Sequence, residues 1–335
     1  MNKSIHTFLS ILLISVVLAA CTSQLIATPA PTATPKPTNT PVPSLHEGLT
    51  SVLPDKIRLH LLAIEGIRNP NTNPQNSAKA QVYIETTLSN LGYEVTQHSF
   101  DYANETYQNV IATRPGTRYP DERVLIIAHY DTVANSPGAD DNASGVAVML
   151  ELARLLQPYT FERTIQFVAT NLEEQGSVGS LALAQFAQES GWHIKGVIDL
   201  EMVGYAGSTL KQSAPVELEN TFPKVGDFIG VVGNETSKSL VEQFISGIQQ
   251  QQIPLPHTPL VVPGNGESLP DTRRSDHSPF WDAGYPAIML TDTAEFRNPH
   301  YHQPSDTNDT LNLTFAANVC RAVGELVNTL AVSID

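Results

Sequence analysis

Five side chains able to bind metal each sit just past a short apolar run in this chain. They are His129 in Ala128-His129-Tyr130-Asp131, an Asp of Gly138-Ala139-Asp140-Asp141-Asn142-Ala143-Ser144-Gly145, Glu174 of the pair Glu173-Glu174, Glu201 in Leu200-Glu201-Met202, and His302 in Tyr301-His302-Gln303. Two imidazoles and three carboxylates suit two zinc ions that share one bridging carboxylate and keep positions open for water and substrate. Glu173 is then left beside the metals, free to move protons. Hydrolysis at a two-metal site is the chemistry these residue types point to. The same donor set also suits cobalt or manganese.

The elements that must position these residues read as alternating strands and helices. Residues 53–97 are mostly helical, with Ile57, Leu61, Leu62 and Ile64, then Val82, Ile84, Leu88 and Leu91 at helical spacing. Gly92 ends the second helix, and Tyr93 to Phe100 is a strand. Val124 to Ala128 is an unbroken apolar run, as expected of a strand buried on both faces. Asn142 can cap a helix whose inner face is Val146, Met149, Leu150, Ala153 and Leu156. Strands follow at Thr164–Ala169, Lys195–Leu200 and Ala287–Leu290, and helices at Val178–Gln188 and Ser237–Gln249. A last helix buries Phe315, Val319, Val323, Leu326 and Leu330. The pattern predicts an α/β fold with a mostly parallel sheet and helices on both faces. His129, Glu173-Glu174 and Glu201 then lie at or just beyond the C-terminal ends of strands, where open α/β sheets bind ligands.

The order and wording of six segments resemble the M28 family of zinc peptidases, which includes secreted bacterial aminopeptidases. The segments are His129-x-Asp131, Gly138-x-x-Asp141-Asn142-x-Ser144-Gly145, Glu173-Glu174, Glu201-Met202-x-Gly204, Ser275-Asp276-His277-x-Pro279-Phe280 and Tyr301-His302-x-x-Ser305-Asp306. The resemblance runs from about Leu53 to the C-terminus and is interrupted near 205–270. It implies the mixed, mostly parallel sheet of the zinc exopeptidase (phosphorylase/hydrolase-like) type.

It also implies roles. Asp141, rather than its neighbour Asp140, is the bridging ligand. His129 binds one zinc, Glu201 holds the other with His302, and Glu174 is a further zinc ligand, with Asp131 orienting the His129 ring from behind. Glu201 is favoured over Asp199, which shares its strand face, and His302 over His300. Glu173 is the general base, and Tyr301 donates to the developing oxyanion. Asp276-His277 looks like a ligand pair, but the family keeps this segment outside the metal shell. Removal of N-terminal residues from peptides follows by resemblance, while the preferred residue is not legible. A glutaminyl cyclase, an acyltransferase on the same fold, typically lacks the Asp-Asn-x-Ser-Gly loop and carries Trp where this chain has Tyr301. A non-catalytic surface binding protein on this fold would lose ligands or the base, and all are present.

The whole chain sets the setting. Lys3 and the apolar segment Phe8–Ala20, about 13 residues long, read as an export signal too short to span a bilayer. It ends Leu18-Ala19-Ala20-Cys21, which resembles a bacterial lipobox and implies lipidation of Cys21. The stretch Ala27–Pro43 alternates Pro with Thr and Ala, an extended tether able to reach about 50 Å. The expected organisation is a signal peptide at 1–20, lipidated Cys and linker at 21–45, and a peptidase domain at 46–335, lipid-anchored outside a bacterial membrane. The net charge of −15, without a Lys/Arg run, argues against nucleic acid. Of the two cysteines, Cys320 reads as a small core residue, and no disulfide is expected.

Overall fold

A computed structural model of the protein describes residues 43–220 and 222–334. The signal segment, Cys21 and the Pro/Thr tether as far as residue 42 lie outside the described residues. The body opens with three helices, α1 (Leu45–Leu49), α2 (Pro54–Ile64) and α3 (Pro74–Asn90). Ser44 caps α1 in a capping box with Glu47, and Leu45 and Leu49 are both buried. Gly92, at φ +84°, ends the helical region in a backbone conformation that only glycine adopts freely.

Strands β1 (Glu94–Tyr102), β2 (Glu105–Arg114) and β3 (Tyr119–His129) follow, then the buried helix α4 (Gly145–Leu156). The short β4 (Thr160–Phe161) precedes β5 (Arg163–Thr170), helix α5 (Val178–Glu189) and β6 (His193–Glu201). Next come β7 (Ile229–Asn234), α6 (Lys238–Gln250), β8 (His257–Val262), α7 (His277–Asp282) and β9 (Ala287–Thr291). The chain closes with α8 (Leu313–Ala331) and β10 (Ser333–Ile334), which pairs with β4.

Eight strands form the main sheet in the order β1-β2-β5-β3-β6-β9-β7-β8. The centre, β5-β3-β6-β9, is parallel, while β2 and β7 run antiparallel to β5 and β9. The sheet is therefore mixed around a parallel core. Three of its strands, β2, β7 and β8, have no counterpart in the sequence-based expectation. Two of them fall within the 205–270 stretch, where Gly230 and Gly233 in β7 and Pro259 in β8 weaken the strand signal.

The unbroken apolar run of β3 resolves into two faces. Val124, Ile126 and Ala128 join the larger core with α1–α4, α6 and α8, and Leu125 and Ile127 join a second core with α5 and α7. Helix α4 is more deeply embedded than its expected stripe, because every residue except Arg154 is buried. In α2 and α3 the expected apolar face is narrower than read. Ile57, Leu61, Ile64, Ile84 and Leu88 are inside, while Leu62 and Val82 are exposed. Cys320 is fully buried in α8. No helix among the described residues is long and apolar enough to cross a membrane.

Candidate active site

Strand register sets the site. His129 is the last residue of β3 and pairs with Thr170, the last of β5, and Glu201 is the last of β6 and pairs with Thr291, the last of β9. Four parallel strands thus end on one line. Asp199 is one pleat deeper on the Glu201 face, where its carboxylate accepts from the His277 amide at 3.0 Å and lies 3.1 Å from His277 Nδ1. Asp199 and His277 are consequently partners of each other, away from the cluster at the sheet edge.

At that edge, Asp141 turns its two oxygens to two different groups. Oδ1 lies 3.3 Å from His129 Nε2, which is 3.4 Å from Glu201 Oε2. Oδ2 lies 3.1 Å from His302 Nε2, which is 3.0 Å from Glu174 Oε2. Two three-residue sets result, His129/Asp141/Glu201 and Asp141/Glu174/His302, each compact enough to surround one cation. Glu201 thus shares a set with His129 and not, as expected, with His302, because the neighbouring parallel strands β3 and β6 end side by side and leave His302 to face Glu174. Neither ring nitrogen of His129, nor His302 Nε2, makes a hydrogen bond among the described residues, although carboxylate oxygens crowd them. Buried, unpartnered imidazole nitrogens aimed at carboxylates are costly without a cation between them, so the donor set fits zinc.

The electrostatics agree. Burial alone would lower the pKa of His129, yet Glu201, Asp131 and Asp141 raise it well above its ordinary value. His302 is likewise pushed up to about 10, burial being outweighed by Asp141 and Glu174. Burial raises Glu174 to about 7, with Asp141 adding to the shift. Such a cage holds protons where metal would otherwise sit, and metal binding would release them.

Glu173 belongs to neither set. Its Oε2 is 3.9 Å from His129 Nε2 and its Oε1 is 3.3 Å from Ser177 Oγ. Burial, then Glu201 and Asp276, raise its pKa well above the usual carboxylate range against the pull of His129. Asp131 lies beside the His129 ring at 3.6 Å, but its hydrogen bonds go elsewhere: its oxygens accept from the amides of Glu173 and Glu174 at 3.1 and 3.3 Å. It therefore fixes the turn that splits the Glu-Glu pair, besides facing the ring. Glu174 is pinned again by the Val133 amide, 3.1 Å from its Oε1.

The Asp141 loop is stitched to its surroundings. Asp306 accepts from the amides of Asp140 and Asp141. Asn142 accepts from the Gly145 amide, as a helix cap would, and also from the Met202 amide, while donating to Leu200 O at 2.7 Å. Asp140, the alternative bridge, is turned away: it accepts from the Gly204 amide and from Asn298 Nδ2. Gly138 must be glycine here, since φ is +59° and a Cβ would meet Asp141 O at 2.2 Å. Arg68, fully buried, donates to the carbonyls of Ile64, Gly66, Tyr130, Pro137 and Gly138. Three non-glycine residues with left-handed φ adjoin the cage: Leu172 before Glu173, Met202 after Glu201, and His302 itself. Backbone strain of this kind concentrates at functional sites.

Ser275, Arg68 and Asp306 carried no role in the sequence analysis. Ser275 Oγ donates to Glu201 Oε2 at 2.6 Å, and Asp276 accepts from Thr170 Oγ1. The Ser275-Asp276-His277 segment is thus a brace behind the metal residues. Its sequence signal was its place in the motif series. Asp306 likewise closes the Tyr301-His302-x-x-Ser305-Asp306 motif, whereas Arg68 acts through backbone groups, for which a sequence has no periodicity.

An open cavity adjoins the cage at Glu201 and Tyr301. Leu218, Phe222, Val232, Leu260, Met289 and Phe296 give it an apolar wall. The 205–270 stretch supplies four of these. The Tyr301 ring stacks on His302 at 3.8 Å between centroids.

Comparison with known proteins identifies relatives of the chain. The family model described as "Peptidase family M28" matches residues 109–327. The chain is 35% identical over 269 residues to the uncharacterized protein YfbL of Escherichia coli (strain K12), covering 75% of this chain and 80% of that one. It is 31% identical over 212 residues to aminopeptidase YwaD of Bacillus subtilis (strain 168), covering 62% of this chain but only 41% of that relative. The structure of the Legionella pneumophila LapA aminopeptidase superposes with a TM-score of 0.68 at 20% identity, covering 87% of this chain and 75% of LapA, a likeness of fold. With its motifs in order and more than half its length matched, the chain belongs to peptidase family M28, and it is a zinc-dependent hydrolase.

Proposed function

We propose that the protein is a di-zinc aminopeptidase that removes N-terminal residues from peptides outside the cell. The observation that carries this reading is the division of Asp141 between His129/Glu201 on one oxygen and His302/Glu174 on the other. Those five residues would hold the two ions. Bound zinc would supply Lewis acidity and lower the pKa of the attacking water. Glu173, outside both sets and already disposed to hold a proton, takes a proton from the attacking water and passes it to the leaving amine. Tyr301, on the cavity side of the cage, donates a hydrogen bond to the oxyanion of the tetrahedral intermediate and keeps its proton.

Charge supports this direction of cleavage. Arg274 is the only cation among the residues lining the cavity, and Asp271 and Glu295 already pair with it. No free cation there awaits a C-terminal carboxylate, whereas Glu173 and Glu201 suit a protonated amine. The apolar wall suits a large aliphatic or aromatic first side chain. The Asp141 bridge and Tyr301 favour hydrolysis over glutaminyl cyclisation.

The full-length protein, assayed on a panel of aminoacyl-nitroanilides before and after chelation and zinc add-back, tests this. Expected is release from Leu, Met and Phe derivatives, abolished by chelator, restored by zinc, and abolished by Glu173→Gln. No release with two zincs bound would replace the reading with a carboxypeptidase, another amide substrate or a binding role. No release with one zinc or none would overturn the two-metal assignment.

We further propose that the chain is exported and anchored by lipid on Cys21, supported by the Leu18-Ala19-Ala20-Cys21 sequence and the tether that follows. Radiolabelled palmitate should enter the wild type and not Cys21→Ser, and equal labelling would refute the anchor.

A further inference from the structure

The segment that braces the metal residues begins one residue earlier than the Ser275-Asp276-His277 motif. Arg274 reaches the other way, into the cavity. Its Nη2 donates to Tyr301 Oη at 3.3 Å, and its Nη1 donates to Glu295 and, at 3.4 Å, to Asp271. A guanidinium has donors only, so this bond occupies a lone pair of the phenol oxygen and leaves the phenol proton free. The ring below is fixed independently by its stack on His302, with planes 20° apart. Tyr301 is therefore held at two points, by ring face and by oxygen.

We propose that Arg274 is a positioning residue for Tyr301. It accepts no proton and touches no reacting atom. It fills the acceptor side of the phenol oxygen, so that the hydroxyl hydrogen is directed into the cavity that Tyr301 shares with Glu201. Glu295 and Asp271 hold the planar fork in place and neutralise it, which keeps the guanidinium from competing for the substrate carbonyl. Consecutive residues thus serve two ends of one reaction: Ser275 steadies Glu201 at the cage, and Arg274 steadies the oxyanion donor at the cavity. The proposal rests on the reading of Tyr301 as that donor.

The test is a double-mutant cycle on the full-length, zinc-loaded protein with the best nitroanilide of the panel. Tyr301→Phe should lower kcat about 100-fold, the usual loss for one oxyanion donor. Arg274→Met should lower kcat about tenfold with KM little changed, and in the Tyr301→Phe background it should change kcat by less than about twofold. Arg274→Lys, which keeps a donor but not the fork, should fall between. Losses that multiply in the double variant, or an Arg274→Met enzyme at the wild-type rate, would overturn the proposal. A fully active Tyr301→Phe enzyme would remove the role given to Tyr301, and the proposal with it. Crystal structures of the wild type and Arg274→Met decide the clamp separately from activity. A displaced Tyr301 hydroxyl supports it and an unmoved one overturns it, even if no nitroanilide is cleaved and the aminopeptidase reading itself fails.

Discussion

The metal cage and the cavity beside it are built by different means. Cage residues stand on strand ends whose register is set by the sheet, or on loops tied down by backbone amides: Asp306 to Asp140 and Asp141, Asp131 to Glu173 and Glu174, and Asn142 to Met202. The cavity wall comes mostly from connecting segments around 212–222, 271–274 and 293–301, joined by side-chain contacts such as Arg274 to Glu295 and Ser213 to Phe296. Chemistry that must be placed to within a fraction of an ångström sits on the first kind of support, and selectivity on the second. Cage variants should therefore damage every substrate alike, and wall variants should reorder substrates while leaving zinc in place.

Asp141→Asn is the most severe break. It weakens the one carboxylate shared by both sets, so bound zinc should fall to about one ion per chain or fewer, and activity to background on all substrates. Metal analysis after dialysis reads the first, and the nitroanilide panel the second. Retention of both ions would show that the bridge is not what holds them. Glu173→Gln should cost about 1,000-fold in kcat while both ions stay, since Glu173 lies outside either set. Zinc loss in that variant would move Glu173 into the cage and leave the base unassigned.

Supports of the cage come next. Arg68→Met leaves five carbonyls without their donor and should cost about 4 kcal/mol in urea unfolding, with activity of the folded fraction retained. Ser275→Ala frees one oxygen of Glu201 and should weaken zinc about tenfold, measured by competition with a chelator. A full-affinity Ser275→Ala protein would make the brace behind β6 dispensable.

The same division explains what was readable in the sequence. The apolar runs ending at Ala128, Ala169 and Leu200 announce strands because parallel strands bury both faces, and polar residues directly after such runs fall at one sheet edge. His129, Glu173, Glu174 and Glu201 were legible for that reason, and the order of the motifs supplied Asp141 and His302. Strand β2 was not legible, since its first half, Glu105-Thr106-Tyr107-Gln108, is polar or half exposed. Nor were β7 and β8, interrupted by glycine and proline. The further partners of Asp131 were not legible, because a carboxylate two residues from a histidine suggests the ring and gives no hint of amides 42 and 43 positions away. Leu62 and Val82 lie outside because helical spacing fixes a face but not its width.

The smallest expected effect is the one that most directly separates wall from cage. Leu218 closes a short turn, Val216–Leu218, that lines the cavity and follows Pro215. Its neighbour Val216 is 86% exposed, so a longer side chain at this turn has solvent to reach into. Leu218→Arg would replace part of the apolar wall with a second cation. Release from Leu and Phe nitroanilides should fall about tenfold in kcat/KM, the scale of a hydrophobic pocket contact, and release from the Glu derivative should rise. Zinc content and the dependence on Glu173 should stay as in the wild type. If instead all substrates fall together, or zinc is lost, the loop reaches the cage after all, and a site that looks divided into rigid chemistry and adjustable selectivity is one cooperative unit.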